Sequence, residues 1–153
     1  MIIQIKNKFL EATFNTLGAE LISLKSNDKE YIWEGISEFW DKQSPVLFPT
    51  IGSLKDDTYF FKEKEYHLPR HGFAREKEFQ VVEQAENRII FSLKSDSETE
   101  KVYPFSFELL IECTSETDII SISSILTFIS FIGTIPASSN VFCLEHNFTP
   151  TIY

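Results

Sequence analysis

The stretch Ile119-Ile-Ser-Ile-Ser-Ser-Ile-Leu-Thr-Phe128 decides the fold class, because apolar and small polar residues alternate along it. A period of two places successive side chains on opposite faces of a strand, so that one face meets a core and the other meets water. β-Branched and aromatic residues, which favour strands, occupy most of its apolar positions. The stretch therefore predicts a half-buried β-strand.

The same pattern recurs along most of the chain and predicts a mainly β protein. Further strands are predicted at residues 2–5, 10–14, 21–24, 31–33, 58–61, 65–68, 79–83, 89–93 and 105–111. Their connections are short and polar, as hairpin loops are. Many short strands joined by tight turns indicate an all-β sandwich or barrel. Residues 35–40 are the only place where we predict a helical turn.

Length, charge and cysteine content exclude several classes of protein. The 153 residues fit one domain, and 14 Lys and Arg against 23 Asp and Glu give a net charge of -9. That charge repels nucleic acid and anionic membranes, so we expect neither as a partner. Cys113 and Cys143 are too few for a disulfide framework, and no phosphate loop or His/Cys metal spacing is present. We expect no cofactor and no metal, and the absence of a secretory signal predicts a cytoplasmic protein.

The last part of the chain differs chemically from the rest. All Lys and Arg lie at or before Lys101, and residues 113–153 are rich in Ser, Thr, Ile and Phe. A normal surface mixes charges of both signs. One interpretation is a pair of buried strands. The other, which we favour, is a divergent apolar tail whose reading frame is disturbed near Cys113.

Two segments combine rigid and flexible backbone with polar side chains, and they are the candidates for a binding site. They are Ser44-Pro-Val-Leu-Phe-Pro-Thr-Ile-Gly-Ser-Leu-Lys55 and Tyr66-His-Leu-Pro-Arg-His-Gly-Phe-Ala-Arg75. In the second, Pro and Gly bring Arg70, His71 and Arg75 close together. These side chains can hold hydroxyls, a carboxylate or a phosphate. The alternative is a structural corner whose arginines pair with acidic neighbours such as Glu76 and Glu78.

Four landmarks in order resemble the aldose 1-epimerase (galactose mutarotase) family, in particular its LacX-like branch. They are Asn15-Thr-Leu-Gly-Ala-Glu-Leu21, Tyr31-Ile-Trp33, Pro45-Val-Leu-Phe-Pro-Thr-Ile-Gly52 and Leu68-Pro-Arg-His-Gly-Phe-Ala-Arg75. The resemblance spans roughly residues 12–112. It implies a large antiparallel β-sandwich that binds a free sugar and interconverts its α and β anomers without metal or nucleotide. Residues 1–112 would be the N-terminal part of that sandwich.

The resemblance also implies roles for particular residues. His71 matches a family histidine that binds the sugar and helps to polarise it, so it is the catalytic candidate as well as a binding residue. Arg75, Phe73 and Arg70 share its loop and are predicted to bind substrate. Ser53 stands where mutarotases usually have an Arg donor, and Lys55 is a possible substitute for that donor.

Full members of the family are about twice as long and take their general acid histidine and general base glutamate from the part beyond this resemblance. His146 and Glu145 are weak candidates for those roles, since Leu144-Glu-His-Asn-Phe148 lacks the expected Gly-x-His-Pro setting. The sequence therefore predicts a truncated epimerase-like chain without its acid and base, acting on a small-molecule sugar. The alternatives are a non-catalytic carbohydrate-binding sandwich and a decayed fragment without function. The oligomeric state stays open.

Overall fold

The computed structural model describes residues 1–128 in full and the backbone of residues 142–148. Eleven strands are present in this part, with one short helix, α1 (Thr99–Val102), and 3-10 turns at Lys55–Asp57 and Ala74–Glu76. The strands are β1 (Ile2–Lys6), β2 (Glu11–Asn15), β3 (Glu20–Ser26), β4 (Lys29–Glu30), β5 (Thr58–Phe61), β6 (Lys64–His67), β7 (Gln80–Gln84), β8 (Arg88–Lys94), β9 (Phe107–Glu116), β10 (Ile119–Phe128) and β11 (Phe142–Phe148). The predicted all-β class is confirmed.

The strands form three sheets, and every named strand pair is antiparallel. The first sheet has the order β1-β2-β3-β4, the second has the order β11-β10-β9-β8-β7, and β5 with β6 forms a separate hairpin. Within each sheet, strands that follow one another in the sequence also pair. Most of the described connections between them are short polar loops, whereas residues 95–106, which include α1, join β8 to β9. The two larger sheets are therefore meanders.

The core lies between the two larger sheets and follows from the alternation in the sequence. In β9, every second residue from Phe107 to Ser115 is buried. The first sheet contributes Ile3, Ile5, Ala12 and Phe14 to the same cluster. The rings of Phe14 and Phe91 lie 5.7 Å apart and join the two sheets. This is the face-to-face packing of a β-sandwich.

A cluster of aromatic side chains supports the loops that carry the polar motif. Phe48, Phe73, Tyr103 and Phe107 contact one another, with ring centroids between 4.9 and 6.4 Å apart. Tyr59 of the β5–β6 hairpin donates a hydrogen bond to the Val102 carbonyl at 2.8 Å. The hairpin and α1 are thereby joined to the same region.

The predicted strand at residues 31–33 is wrong, because β4 ends at Glu30. The Glu30 carboxylate accepts hydrogen bonds from the backbone N–H groups of Leu24, Tyr31 and Ile32, at 2.8 to 3.0 Å. The Tyr31 N–H is shared with the Leu24 carbonyl, at 2.9 Å, whereas the Ile32 N–H, which a continuing strand could use for its ladder, donates to the Glu30 side chain. The turn predicted at residues 35–40 is confirmed, since Phe39 and Trp40 both donate to the Ile36 carbonyl.

Strand β9 continues through residue 112, the predicted end of the family-like part. Cys113 pairs with Ile89 of β8 and with Ile122 of β10, and its side chain is fully buried. The division of the chain at residue 112 stays a prediction. Within the described residues, no helix has the length and apolar character needed to cross a bilayer.

Candidate functional site

A cleft of about 1070 Å³ opens beside the first sheet and is bounded on its other side by the second sheet. Leu21 and Leu24 of β3 form one wall, and Ile111, Ile122 and Ser124 of β9 and β10 form another. The two polar segments singled out in the sequence add residues 44–47, Ile51, Arg70, His71 and Arg75 to the lining, and Gln43 stands directly before the first segment. The structure therefore brings the two segments together at one cavity.

Backbone hydrogen bonds fasten the two segments side by side. The Phe48 carbonyl accepts from the N–H groups of Phe73 and Ala74, at 2.9 and 3.2 Å. Gly72 lies directly against this carbonyl, at a φ of +69°, and a Cβ atom there would come within 2.1 Å of the oxygen. Only glycine fits this close approach, which explains its place in the motif.

His71 is held by Gly52 at two points. The His71 N–H donates to the Gly52 carbonyl at 2.9 Å, and the Gly52 N–H donates to His71 Nδ1 at 2.9 Å. His71 has a φ of +69°, a conformation that costs a non-glycine residue about 1–3 kcal/mol. The two hydrogen bonds offset this cost and fix both the backbone and the ring.

The contact with Gly52 also selects the tautomer of His71. A neutral imidazole has one donor nitrogen and one acceptor nitrogen. Arg70 Nε–H lies 3.1 Å from His71 Nε2 and competes with the Gly52 N–H for the single acceptor. The Gly52 donor belongs to a fixed backbone, whereas the Arg70 side chain is exposed and can rotate. We therefore assign the proton to Nε2, which is then a donor.

The two arginines of the loop support each other across the turn. Arg75 Nη2 donates to the Arg70 carbonyl at 3.3 Å. Arg75 Nε is buried without a hydrogen-bond partner, and Glu76 Oε1 lies 3.7 Å from it. The predicted residues Arg70, His71 and Arg75 thus meet at one place in the cleft.

Glu20 and Gln43 position the first segment, and sequence reasoning did not single them out. The Glu20 carboxylate accepts from the N–H groups of Gln43 and Ser44, at 2.7 and 3.1 Å. Gln43 Nε2 donates to the carbonyls of Ile22 and Trp33, and Ser44 Oγ donates to the Leu21 carbonyl. The available signal was the position of Glu20 inside the first landmark motif and of Gln43 two residues before the third.

Aromatic and apolar side chains form the mouth of the cleft. Tyr31 and Trp40 line it, and Trp40 is 50% exposed. Ile51 lines it too and is 78% exposed. Trp33 Nε1 donates to the Trp40 carbonyl at 3.1 Å and holds this loop. Flat apolar surfaces beside hydrogen-bond donors suit a molecule with both C–H and hydroxyl faces.

Two predicted binding residues are not among the described residues that line the cleft. Phe73 is 8% exposed and packs in the aromatic cluster, so its role in the structure is to anchor the loop. Ser53 is exposed, as is Lys55, and neither contributes to the lining. The side chains of His146 and Glu145 lie outside the described residues, and only their backbone position on β11 is given.

The described lining of the cleft contains no Asp or Glu. Nor do three His, Cys, Asp or Glu side chains come together as metal ligands anywhere in the described part of the chain. The described groups can therefore donate hydrogen bonds and attract negative charge, and a carboxylate base is not among them.

Comparison with known proteins agrees with this architecture. The sequence model of the family described as aldose 1-epimerase matches residues 1–118. Protein LacX (plasmid) of Lactococcus lactis subsp. lactis is 36% identical over 150 residues, which cover 90% of this chain and 50% of that protein.

Solved structures show the same fold. A galactose mutarotase related enzyme from Lactobacillus acidophilus has a TM-score of 0.84 and 38% identity, over 85% of this chain and 44% of that one. A galactose mutarotase-like protein from Lactobacillus casei ATCC 334 has a TM-score of 0.81 and 32% identity, over 84% and 44%. The predicted mutarotase-type sandwich is confirmed.

The chain spans about half the length of the curated relatives it matches. The family match nevertheless covers both polar segments, the residues Glu20 and Gln43 that position the first of them, and most of the two larger sheets. On this basis, the chain belongs to the aldose 1-epimerase family.

Proposed function

We propose that this chain supplies the sugar-binding part of an aldose 1-epimerase-like isomerase, which interconverts the α and β anomers of an aldose. The observation that carries the proposal is the two-point contact of His71 with Gly52, which leaves Nε2–H as a donor at the cleft. Arg70 and Arg75 stand beside it as further donors. Tyr31 and Trp40 provide surfaces for the C–H face of a sugar ring.

In this proposal, the chemistry is proton transfer at two sugar oxygens. A base takes the proton of the anomeric hydroxyl while an acid protonates the ring oxygen, and the ring opens. Rotation about the C1–C2 bond and reclosure give either anomer. His71 contributes by donating a hydrogen bond to a sugar oxygen, which polarises the bond that opens. It needs a separate base on the other side of the ring.

A second candidate is sugar binding without turnover, and one observation favours it. No carboxylate belongs to the described lining of the cleft, so the described residues bind and polarise but do not abstract a proton. The predicted absence of acid and base in this chain leads to the same expectation. We further propose a cytoplasmic location, where a free aldose is the small-molecule partner.

Anomer exchange measured by NMR distinguishes the two candidates. Saturation transfer between the α and β anomeric protons of glucose and galactose gives the exchange rate, and titration of the same samples gives the affinity. We expect saturable binding that His71→Ala weakens at least about ten-fold, and exchange no faster than in buffer. His67→Ala is the matched control, because His67 is exposed on β6 and does not belong to the described cleft lining.

Results that differ from this expectation would change the proposed function in three ways. Exchange faster than in buffer that His71→Ala abolishes would show that this chain is an isomerase by itself. Binding that survives His71→Ala unchanged would remove His71 from the site. No binding of either sugar would overturn the proposed function.

A further inference from the structure

Residues 31–33 lie beside the mouth of the cleft but belong to no strand. Tyr31 and Ile32 line the cleft directly. The ladder of β4 with β3 ends at Glu30, and one further backbone bond follows it, from the Tyr31 N–H to the Leu24 carbonyl. A surface that is ordered only when a ligand arrives costs entropy on binding. Contacts other than a strand ladder must therefore position this segment.

The side chain of Glu30 supplies these contacts. Its Oε1 accepts from the N–H groups of Tyr31 and Ile32, both at 3.0 Å, and from the Leu24 N–H of β3 at 2.8 Å. Its Oε2 accepts from the Ser23 hydroxyl, also on β3. One carboxylate thus joins segment 31–33 to the strand that forms a wall of the cleft.

A second aromatic residue of the cleft depends on the same segment. Gln43 Nε2 donates to the carbonyls of Ile22 and Trp33, at 2.7 and 2.8 Å, and ties the end of the segment to β3. Trp33 Nε1 donates to the carbonyl of Trp40, which lines the cleft. The position of Trp40 therefore depends on Trp33, and that of Trp33 on the segment that Glu30 holds.

Glu30 itself is exposed and does not belong to the described lining of the cleft. Its two oxygens accept from three backbone N–H groups and one hydroxyl. A carboxylate engaged in this way outside the cleft does not reach a sugar hydroxyl to take its proton. Glu30 therefore acts through the residues that it holds.

We propose that Glu30 is a positioning residue of the cleft, whose side chain sets Tyr31 and Trp40 against the ring of the bound sugar. This inference rests on the proposed function, since the sugar is the ligand whose C–H face the two aromatic side chains meet. The property that matters is an acceptor oxygen at the end of a side chain of this length, and not the negative charge.

Tryptophan fluorescence tests the position of the segment without any ligand. Trp33 and Trp40 are the two tryptophans of the chain, and both lie in the loop of residues 31–43. We expect Glu30→Ala to shift the emission to longer wavelength and to increase quenching by acrylamide, because the indoles gain contact with water. Glu30→Gln should keep the wild-type emission, because its Oε1 still accepts from the three N–H groups while its Nε2 donates to the Ser23 oxygen.

Titration with glucose and galactose tests the consequence for binding. We expect Glu30→Ala to weaken the binding of sugar by roughly three- to ten-fold, the loss that a misplaced aromatic contact produces. Glu30→Gln should stay within about two-fold of the wild type. On a Tyr31→Ala background, Glu30→Ala should weaken binding by a smaller factor than it does alone, because effects that act through one contact are not additive.

Two further variants separate charge from reach. Glu34→Ala is the matched control, because it removes the same charge from an exposed position of the same loop, and it should change neither the emission nor the affinity. Glu30→Asp keeps the charge on a side chain that is one methylene shorter, so it should resemble Glu30→Ala more than Glu30→Gln. If thermal unfolding shows that Glu30→Ala does not fold, the comparison of Glu30→Asp with Glu30→Gln still decides.

The results separate this inference from the proposed function. Unchanged emission in Glu30→Ala, or a Glu30→Asp chain that matches the wild type while Glu30→Gln does not, would overturn the positioning role. A shifted emission with unchanged sugar affinity would also overturn it and leave sugar binding intact. If the wild type binds neither sugar, the proposed function fails, whereas an emission that shifts in Glu30→Ala and not in Glu30→Gln still supports Glu30 as the residue that positions the aromatic side chains.

Discussion

His71 is constrained in both its backbone and its ring. It adopts a positive φ although it is not glycine, and Gly52 holds its backbone and its ring with one hydrogen bond each. A residue keeps such a conformation only when its surroundings compensate for the strain. The two hydrogen bonds to Gly52 that compensate for the strain also fix the direction of the imidazole ring.

The tautomer of His71 is a direct consequence of this arrangement. We predict that ¹⁵N NMR of the labelled chain, recorded at a pH where imidazoles are neutral, shows the His71 proton on Nε2. His67 is the internal comparison, because its Nδ1 lies 3.1 Å from the Thr58 hydroxyl, which can donate or accept. A His71 spectrum with the proton on Nδ1 would mean that Arg70 rather than Gly52 controls the ring.

Gly72 is constrained in a different way, by space as well as by conformation. Replacing Gly72 with Ala places a Cβ atom 2.1 Å from the Phe48 carbonyl, which is fixed by two backbone hydrogen bonds. We expect the free energy of unfolding to fall by about 2–4 kcal/mol, from the positive φ and the clash together.

Gly52→Ala is the matched control for this change. Gly52 also has a positive φ, of +86°, but nothing lies within 4 Å of the added Cβ atom. We expect it to lose only the conformational part, about 1–2 kcal/mol. Urea denaturation measures both variants, and equal losses would show that the close approach to Phe48 costs nothing.

At this scale, the sequence predicts the polar residues that meet at the cleft but not the apolar residues of its walls. Arg70, His71 and Arg75 stand out because Gly and Pro bend the chain around them. Phe73 is predicted to bind substrate, but an aromatic residue in such a loop can face a ligand or the core, and here it packs in the core. Trp40 does not lie in a stretch of alternating apolar and polar residues. The sequence pattern therefore could not predict that it lines the cleft, because its position depends on tertiary contacts.

At the scale of elements, alternation predicted strands well wherever backbone ladders decide the structure. It failed at residues 31–33, where the Glu30 carboxylate takes the backbone donors, because an exposed charged side chain gives no periodic signal. It also gave no sign of α1, whose four residues are too few for a helical period. Side-chain hydrogen bonds determine both places.

Asp96 determines the start of α1. Its carboxylate accepts from the N–H groups of Glu98 and Thr99, at 2.9 and 2.7 Å, while its own N–H donates to Thr99 Oγ1. The hydrogen bond from the Thr99 backbone is the main cause that lowers the pKa of Asp96, and Lys77 at 3.6 Å adds to it. We expect Asp96→Ala to reduce the free energy of unfolding by about 0.5–2 kcal/mol at neutral pH.

The pH dependence of this effect has a definite sign. Because the pKa of Asp96 is lower in the folded chain than in the unfolded one, its carboxylate stabilises the fold above its ordinary pKa of about 3.9. That stabilisation is lost as the pH falls through the folded value. Urea denaturation at pH 7 and at lower pH should show the difference between wild type and Asp96→Ala shrinking. A difference that grows on acidification would contradict the assignment.

Glu20 connects the first sheet with the site. Glu20→Ala leaves the N–H groups of Gln43 and Ser44 without their acceptor, so we expect a loss of about 1–3 kcal/mol in the free energy of unfolding. Because this segment runs on to Gly52, which holds His71, we also expect weaker sugar binding.

The control for Glu20 is Glu34→Ala, which removes the same charge from an exposed loop. It should change stability by no more than about 0.5 kcal/mol. If Glu20→Ala lowers the stability but leaves the sugar affinity unchanged, the hydrogen bonds that Glu20 accepts from Gln43 and Ser44 do not determine the geometry of His71.

At the scale of the whole molecule, the second sheet carries both the core and the cleft. One face of β9 packs against the first sheet through Leu109, Ile111 and Cys113, and Ile111 also reaches the cleft wall. The sequence suggested a division at residue 112 because positive charges end before it. In the structure, β9 crosses that position with continuous pairing on both sides, since charge composition does not determine where a ladder ends.

The reactivity of the Cys113 thiol shows whether β9 is formed beyond residue 112. Its side chain is fully buried, and burial raises the pKa of the thiol to about 12, so little reactive thiolate forms near neutral pH. In a Cys143→Ser background, we expect a thiol reagent at pH 8 to label Cys113 at least about a thousand-fold more slowly than in urea, because labelling requires the sheet to open. Thr127→Cys, at an exposed position of β10, is the accessible control. Labelling of Cys113 as fast as this control would mean that β9 is open from residue 113 onward, and that the apolar part of the chain is the divergent tail its composition indicated.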